Sequence, residues 1–573
     1  MRISFESLVG ALMALALSFH TTAAADTSAA PVFHFHSVGS SGFLMSTQGL
    51  VFQQVWKMPE AEPVRAQLQS SIGKAFLTAG AGLLEENAAS LTPSAAELLR
   101  DVIEHESWLD VRGAPGKLEW VLVTKVPEAR HTDWAKAWES FSKAGGCAAP
   151  SSISWGGVSG SAAKSDKQTF SWVSAQGWFA VGLGPAVPSQ WEKVLSTLKA
   201  SGRPASELQT NWLRVKADLG RLRAGFPMIP EFVASQLDLT FRGRGEMVRT
   251  EGTLRFSEPL NWKPEPWDIP ANHIRDPLVG FTAARGIEPL LRRYEEAKKL
   301  GLQSYPNQAV SWSLGVVPYF LYATYPQQNV SNILWHVLPK LPSVITNHGD
   351  LSGSLSFVTN NAAILWQGMP FMAPALKPLW DGTREYLLAA MAPPPGSKLR
   401  PPTELFSFMS KSNLAFYEWE ITEERVSAWR TIYQATLLGF LRNSPKTNAA
   451  SFKWMEALGR GRRLGNTATE VTVTGPNELT VTRTGHAGLT GFEIVSMLRW
   501  FDSSNFPFTF EPTPKMDFKQ LAIDARARRM SNNPTPPAPR IPVPPTPPSR
   551  QLPTGGTPSP AATPATEEAP KVP

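Results

Sequence analysis

One order of elements recurs along this chain: a strand of alternating polarity, a polar residue able to start a helix, an amphipathic helix, then a hairpin. A chain built on that rhythm folds as α+β with mainly antiparallel sheets. The stretch Leu118 to Val126 is rich in β-branched and aromatic residues and is stopped by Pro127. Behind it Thr132 is placed to cap a helix, Trp134, Trp138 and Phe141 fall on one face, and Gly145 permits a left-handed stop. Thr169 to Val173 and Trp178 to Gly182 flank Gln176-Gly177 as a hairpin. A helix after Ser189 follows, with Trp191, Val194, Leu195 and Leu198 as its apolar stripe and Gly202 as its end. A strand pair around Leu237 to Phe241 and Thr253 to Phe256 completes a first lobe, with Arg242, Arg244 and Arg255 expected to face water.

Pro264, Pro266 and Pro270 then interrupt the chain, because proline removes a backbone donor and fixes φ. Beyond them the rhythm returns. Leu278 to Ala284 leads into a helix from Ile287 to Leu300. Leu414 to Ile421 leads into a helix capped by Thr422, with Glu423 and Glu424 in its first turn and Val426, Trp429, Tyr433, Leu437 and Phe440 turned inward. A hairpin turns at Pro476-Asn477, and Gly491 to Phe501 reads as a closing helix. The units agree in element order rather than in residue identity, which suggests a degenerate internal duplication.

The ends differ from this body. Arg2, the apolar run Leu8 to Phe19 and the exit Ala23-Ala24-Ala25 form the pattern of a secretory signal peptide, with a mature start near Asp26. From about Asn533 prolines arrive every two or three residues, which favours polyproline II over a packed core. The expected organisation is therefore a signal peptide at 1–25, an N-terminal α+β lobe at 26–263, a proline-broken linker at 264–276, a C-terminal α+β lobe at 277–525 and a disordered proline-rich tail at 526–573. A hydrophobic content of 42% with 18% charged residues is ordinary globular composition. With Cys147 the only cysteine, stability must come from burial and not from crosslinks. The formal charge of +7 is interleaved with acids over 573 residues, which argues against a nucleic-acid partner. Arg526, Arg528 and Arg529, just before the tail, offer a peripheral contact to an anionic envelope surface, without a transmembrane segment in the mature chain.

Catalytic signals are sparse. Ser71-Ile72-Gly73-Lys74 places a hydroxyl and an amine one helical turn apart. It resembles the S-x-x-K motif of serine β-lactamases and penicillin-binding proteins, Tyr305-Pro306-Asn307 resembles their second motif, and Arg483-Thr484-Gly485-His486 loosely resembles their third. That resemblance implies an acyl-transferring hydrolase using Ser71, Lys74 and Tyr305. The span from Ser71 to Tyr305, filled with strand, helix and hairpin units, departs from the family pattern. His34 and His36 share a strand face but lack further ligands in sequence, so neither a metal nor a cofactor is expected. Glu418 and Glu420 share a strand face opposite an apolar one and are expected to face water. Of the twenty tryptophans, Trp262 and Trp267 in the proline-broken segment have no core phase, which makes them candidates for a glycan or partner surface. The sequence reads as an exported, periplasmic or extracellular, non-catalytic binding or scaffolding protein of the cell envelope, its partner an envelope protein or glycan. The serine hydrolase and the tryptophan-based glycan binder are the alternatives.

Overall fold

The structure, a computed structural model, describes residues 31–502 apart from 80–90, 115–117, 205–207, 209, 226–233, 293–294, 303–304, 316–318, 325–328, 342–353, 359–362, 368–373, 391–398, 437–448 and 462–463. The signal-peptide pattern, the proline-rich tail, Arg526, Arg528, Arg529, Leu437 and Phe440 lie outside the described residues. The class is α+β, and the twenty described strands form one sheet. Ten precede the proline-broken segment: β1 (Phe33–Ser37), β2 (Ser107–Arg112), β3 (Glu119–Lys125), β4 (Ser151–Trp155), β5 (Val158–Lys164), β6 (Thr169–Ala175), β7 (Trp178–Gly184), β8 (Leu213–Asp218), β9 (Gln236–Arg244) and β10 (Met247–Arg255). Ten follow it: β11 (Leu278–Arg285), β12 (Gln308–Leu314), β13 (Tyr319–Thr324), β14 (Ser354–Val358), β15 (Ala363–Gln367), β16 (Ala375–Trp380), β17 (Glu385–Ala390), β18 (Leu414–Ile421), β19 (Asn466–Gly475) and β20 (Glu478–Gly485).

Every pairing is antiparallel, and the pairings run β4-β5-β6-β7-β3-β2-β1-β8-β9-β10 through the first half. The second half repeats that order strand for strand, as β14-β15-β16-β17-β13-β12-β11-β18-β19-β20. The expected duplication is thus present as topology. The halves meet where β10 pairs with β20. The hairpin turns fix their correspondence: Arg244 pairs with Met247 and Gly475 with Glu478, and each second residue lies 231 positions beyond the first-half one. Under the same offset Glu251 corresponds to Thr482, and those two are directly paired. A pseudo-two-fold axis therefore passes between them, normal to the sheet, so corresponding faces of the two halves lie on the same side.

Covering elements also correspond. The helix Trp191–Ser201 precedes β8, and the 3₁₀ helix Thr403–Ser410 precedes β18. The first buries Trp191, Val194, Leu195 and Leu198 against Trp108, Val123, Val173 and Trp178, and the second buries Leu405 and Phe408 against Phe281 and Tyr417, both on the same side of the sheet. The opposite side carries most of the helical mass. There, Ala61–Ala79, Thr92–Glu104 and Glu128–Ala144 share one core with residues of Thr422–Thr436, Ala450–Arg460 and Gly491–Phe501, so Val426, Phe452 and Ile494 join Phe33, Leu109 and Trp138. Helices of the second half thereby complete the interior of the first.

The helix expected at Thr132 begins at Glu128 with Pro127 as its N-cap, because proline's fixed φ suits the entry a turn earlier. Ser189 does not cap its helix with its own side chain. Its backbone N–H and hydroxyl both donate to the Glu119 carboxylate, the N–H at 3.1 Å. The stretch expected as one helix from Ile287 holds two short ones, Glu288–Leu291 and Glu295–Leu300.

Candidate functional site: a polar trough on the central strands

Directly paired residues of antiparallel strands share a face, so side-chain rows can be followed across the whole sheet. On the side carrying Trp191–Ser201, one row runs Val173, Ala180, Val123, Trp108, His36, Arg214, Thr240, Glu251, Thr482, Glu470, Tyr417, Ala283, Val310. It is apolar under the 191–201 helix, polar across six strands from β1 to β19, and apolar again under the 403–410 helix. The two flanking rows are also largely polar on these strands: Lys216, Asp238, Thr253, Thr480, Thr472, and Arg242, Arg249, Thr484, Ala468. At about 4.8 Å per strand, β8 to β19 make a trough floor roughly 20 Å wide between two raised walls.

Its charges are arranged unevenly. Arg242 and Arg249 stand directly opposite each other, an arrangement that repels, and both reach one carboxylate: Arg242 Nη2 lies 3.3 Å and Arg249 Nε 2.6 Å from Glu251 Oε1. Asp238 is likewise shared, by Arg214 Nη2 at 3.2 Å and Lys216 Nζ at 3.7 Å. Two acids thus serve four cations on β8 to β10. Arg255 adds a pair with Glu478 at 2.9 Å across the halves. On β20 Thr480 stands for Arg249 and Thr482 for Glu251, while on β19 Glu470, held by Lys411 at 2.6 Å, stands for Thr240.

A buried polar group borders the trough. His34 pairs with Asp110 across β1 and β2, its ring 5.6 Å from that of Trp108. Burial, helped by nearby His36, Lys216 and Arg214, lowers the His34 pKa to about 4, so it is neutral at pH 7. Burial raises Asp110 to about 6 against the opposing pull of Arg112, whose guanidinium lies 3.0 Å away. Asp110 is 2% exposed, and its Oδ1 has no hydrogen-bond partner among the described residues. His36 lies 3.2 Å from Glu106, whose pKa is lowered by that contact despite burial acting the other way. Among the described residues no His, Cys, Asp or Glu group of three or more converges as a metal site.

The residues singled out in the sequence lie on several elements. Ser71 and Lys74 lie on the 61–79 helix, with the Lys74 side chain outside the described residues. Tyr305 is buried ahead of β12 with the Arg292 guanidinium 5.2 Å from its ring centre. Asn307 ties loops, donating to Lys263 O at 3.1 Å, and Arg483 donates to Glu493 at 2.7 Å and Thr469 at 2.9 Å. Trp262 and Trp267 flank Arg285, which is 5% exposed. That guanidinium donates to the carbonyls of Leu414, Glu265, Lys411 and Ser412 and so pins the proline-broken segment to β18. Trp267 is packed at 5.3 Å against Phe408, and Trp262 donates to Arg285 O. Cys147 is half-buried, its thiol raised by burial.

Glu420 corrects one expectation. It is 2% exposed, not turned to water, because the helices beginning at Thr422 and Gly491 cover its face. Gly491 N–H donates to it at 2.7 Å, Arg425 lies 3.6 Å away, and burial with Glu418 alongside raises it to about 7. The trough itself escaped the sequence reading because its signal is cross-strand; the legible part was the run of exposed arginines on β9 and β10. Comparison with family models, with curated proteins and with solved structures found no match to this chain.

Proposed function

We propose that this chain is an exported, non-catalytic binding protein of the cell envelope whose working surface is the polar trough. One observation carries the reading: a charged, hydroxyl-bearing floor stays open to solvent while both of its flanks are roofed. Arg214, Lys216, Asp238, Arg242 and Glu251 have side-chain exposures of 34, 48, 40, 36 and 36%. Four buried ionisable groups, in contrast, are engaged in holding the fold together: Glu119 at the start of the 191–201 helix, Glu420 at Gly491, Arg285 on four carbonyls, and Glu493 in the capping box of Thr490. Export is supported by the pattern of residues 1–25.

Two measurements test this. N-terminal sequencing of the protein recovered outside the cytoplasm should begin at Asp26; a chain retaining residues 1–25 overturns export. Incubation with serine-directed acylating probes should leave the purified protein unlabelled, and labelling that Ser71→Ala abolishes overturns the non-catalytic reading in favour of the hydrolase.

A further inference from the structure

We propose that the trough binds an extended polyuronate, a polysaccharide bearing carboxylates, with the carboxylates taken by Arg242 and Arg249 and the sugar hydroxyls by the threonines of β20 and β19. The inference rests on the binding reading above and names its ligand.

The opposed Arg242 and Arg249 are the starting point. Two guanidiniums face each other with a single carboxylate between them, so half of their donor capacity for planar carboxylates is left to a ligand. A second carboxylate arriving there relieves a repulsion already present in the free protein. Arg214 and Lys216, sharing Asp238, extend the same excess of positive charge along the strands. Across the pseudo-two-fold axis the surface changes character: Thr480, Thr482 and Thr484 project on the same side, small hydroxyls that donate and accept with polyols. A ligand matching both halves carries anionic groups and hydroxyls along one chain.

The shape selects among anions. The 191–201 helix and the 403–410 helix stand on either side of the floor, so a flat bilayer meets them before it meets the arginines. An acidic peptide would satisfy the arginines, but the floor gives its side chains charged and hydroxyl neighbours in place of apolar pockets. A carboxylate is preferred over other anions because the group already seated between the arginines, Glu251, is one.

The test is equilibrium binding of the purified mature protein to polygalacturonate, neutral dextran and poly-glutamate at two salt concentrations. Polygalacturonate is expected to bind and to weaken as salt rises, with dextran and poly-glutamate at least about tenfold weaker. Arg242→Gln with Arg249→Gln should cost at least about tenfold, while Arg460→Gln, an exposed cation elsewhere, changes nothing. Thr482→Val keeps strand preference and should cost about threefold, which preserves the test if the double variant fails to fold. Unchanged affinity in the arginine variant, or in Thr482→Val if it alone folds, overturns the proposal. Poly-glutamate binding as tightly as polygalacturonate overturns it in favour of an acidic peptide, and equal binding of dextran overturns the role of charge. Absence of polyuronate binding without acyl labelling sinks this inference alone, whereas labelling at Ser71 with polyuronate binding intact sinks only the non-catalytic reading.

Discussion

Glu251 and Thr482 sit opposite each other at the junction of the two halves, each at the position in its own half that the other holds in its half. The symmetry of the backbone has thus survived where the chemistry has not. On one side the position holds a carboxylate bridging two arginines, and on the other a hydroxyl.

Removing that carboxylate should expose the tension it relieves. Glu251→Gln is expected to destabilise the protein by roughly 0.5–1 kcal/mol in chemical denaturation, since Arg242 and Arg249 then face each other without a counter-charge. The loss should shrink as salt is raised. A loss that is independent of salt contradicts the electrostatic account.

Arg285 should be far less tolerant. Arg285→Met leaves the carbonyls of Leu414, Glu265, Lys411 and Ser412 without this donor, and the expected cost is about 2–4 kcal/mol. Thermal or denaturant unfolding of the variant measures it directly.

Gly286, next in sequence, has φ +71°, and the Trp262 indole occupies the space a Cβ would need. Gly286→Ala is expected to destabilise by about 1–3 kcal/mol through backbone strain and displacement of Trp262. Trp262→Ala in the same background should recover part of that loss, and tryptophan fluorescence reports whether the indole has moved.

Glu420 predicts a pH dependence with a definite sign. Its folded pKa, about 7, lies above the ordinary carboxylate range, so the folded state holds this proton more tightly than the unfolded one. Its contribution is fully present below the unfolded value near 4.3 and is lost as pH rises through about 7. Glu420→Gln, which still accepts from Gly491, should therefore gain on the wild type by roughly 1–3 kcal/mol between pH 4.5 and 7.5. His34, lowered to about 4, acts in the opposite direction over part of that window, so the difference between the two proteins is the quantity to compare. Parallel stability curves contradict the assignment.

What was legible in the sequence was whatever depends on near neighbours. The helix Gly491–Phe501, the hairpin of β6 and β7, and the inward phases of Trp134, Trp138 and Trp191 follow from periodicity and turn chemistry, and all three indoles are at most 3% exposed. Glu420 was misread because strand alternation assigns a face without saying what lies over it. Trp267 shows the same limit: a residue among prolines has no period, yet it packs against Phe408, far along the chain. The trough is harder still, since Arg242, Thr484 and Ala468 become neighbours only through three successive pairings.

Synthesis from the N-terminus meets a difficulty that the shared core creates. Phe33, Leu109 and Trp138 leave the ribosome long before Phe452, Ile494 and Leu498, which close the interior around them. The nascent first half must therefore wait, greasy surface uncovered, for the last tenth or so of residues 31–502 to arrive. A protein with this architecture has good reason to be held by chaperones until its translation is nearly finished.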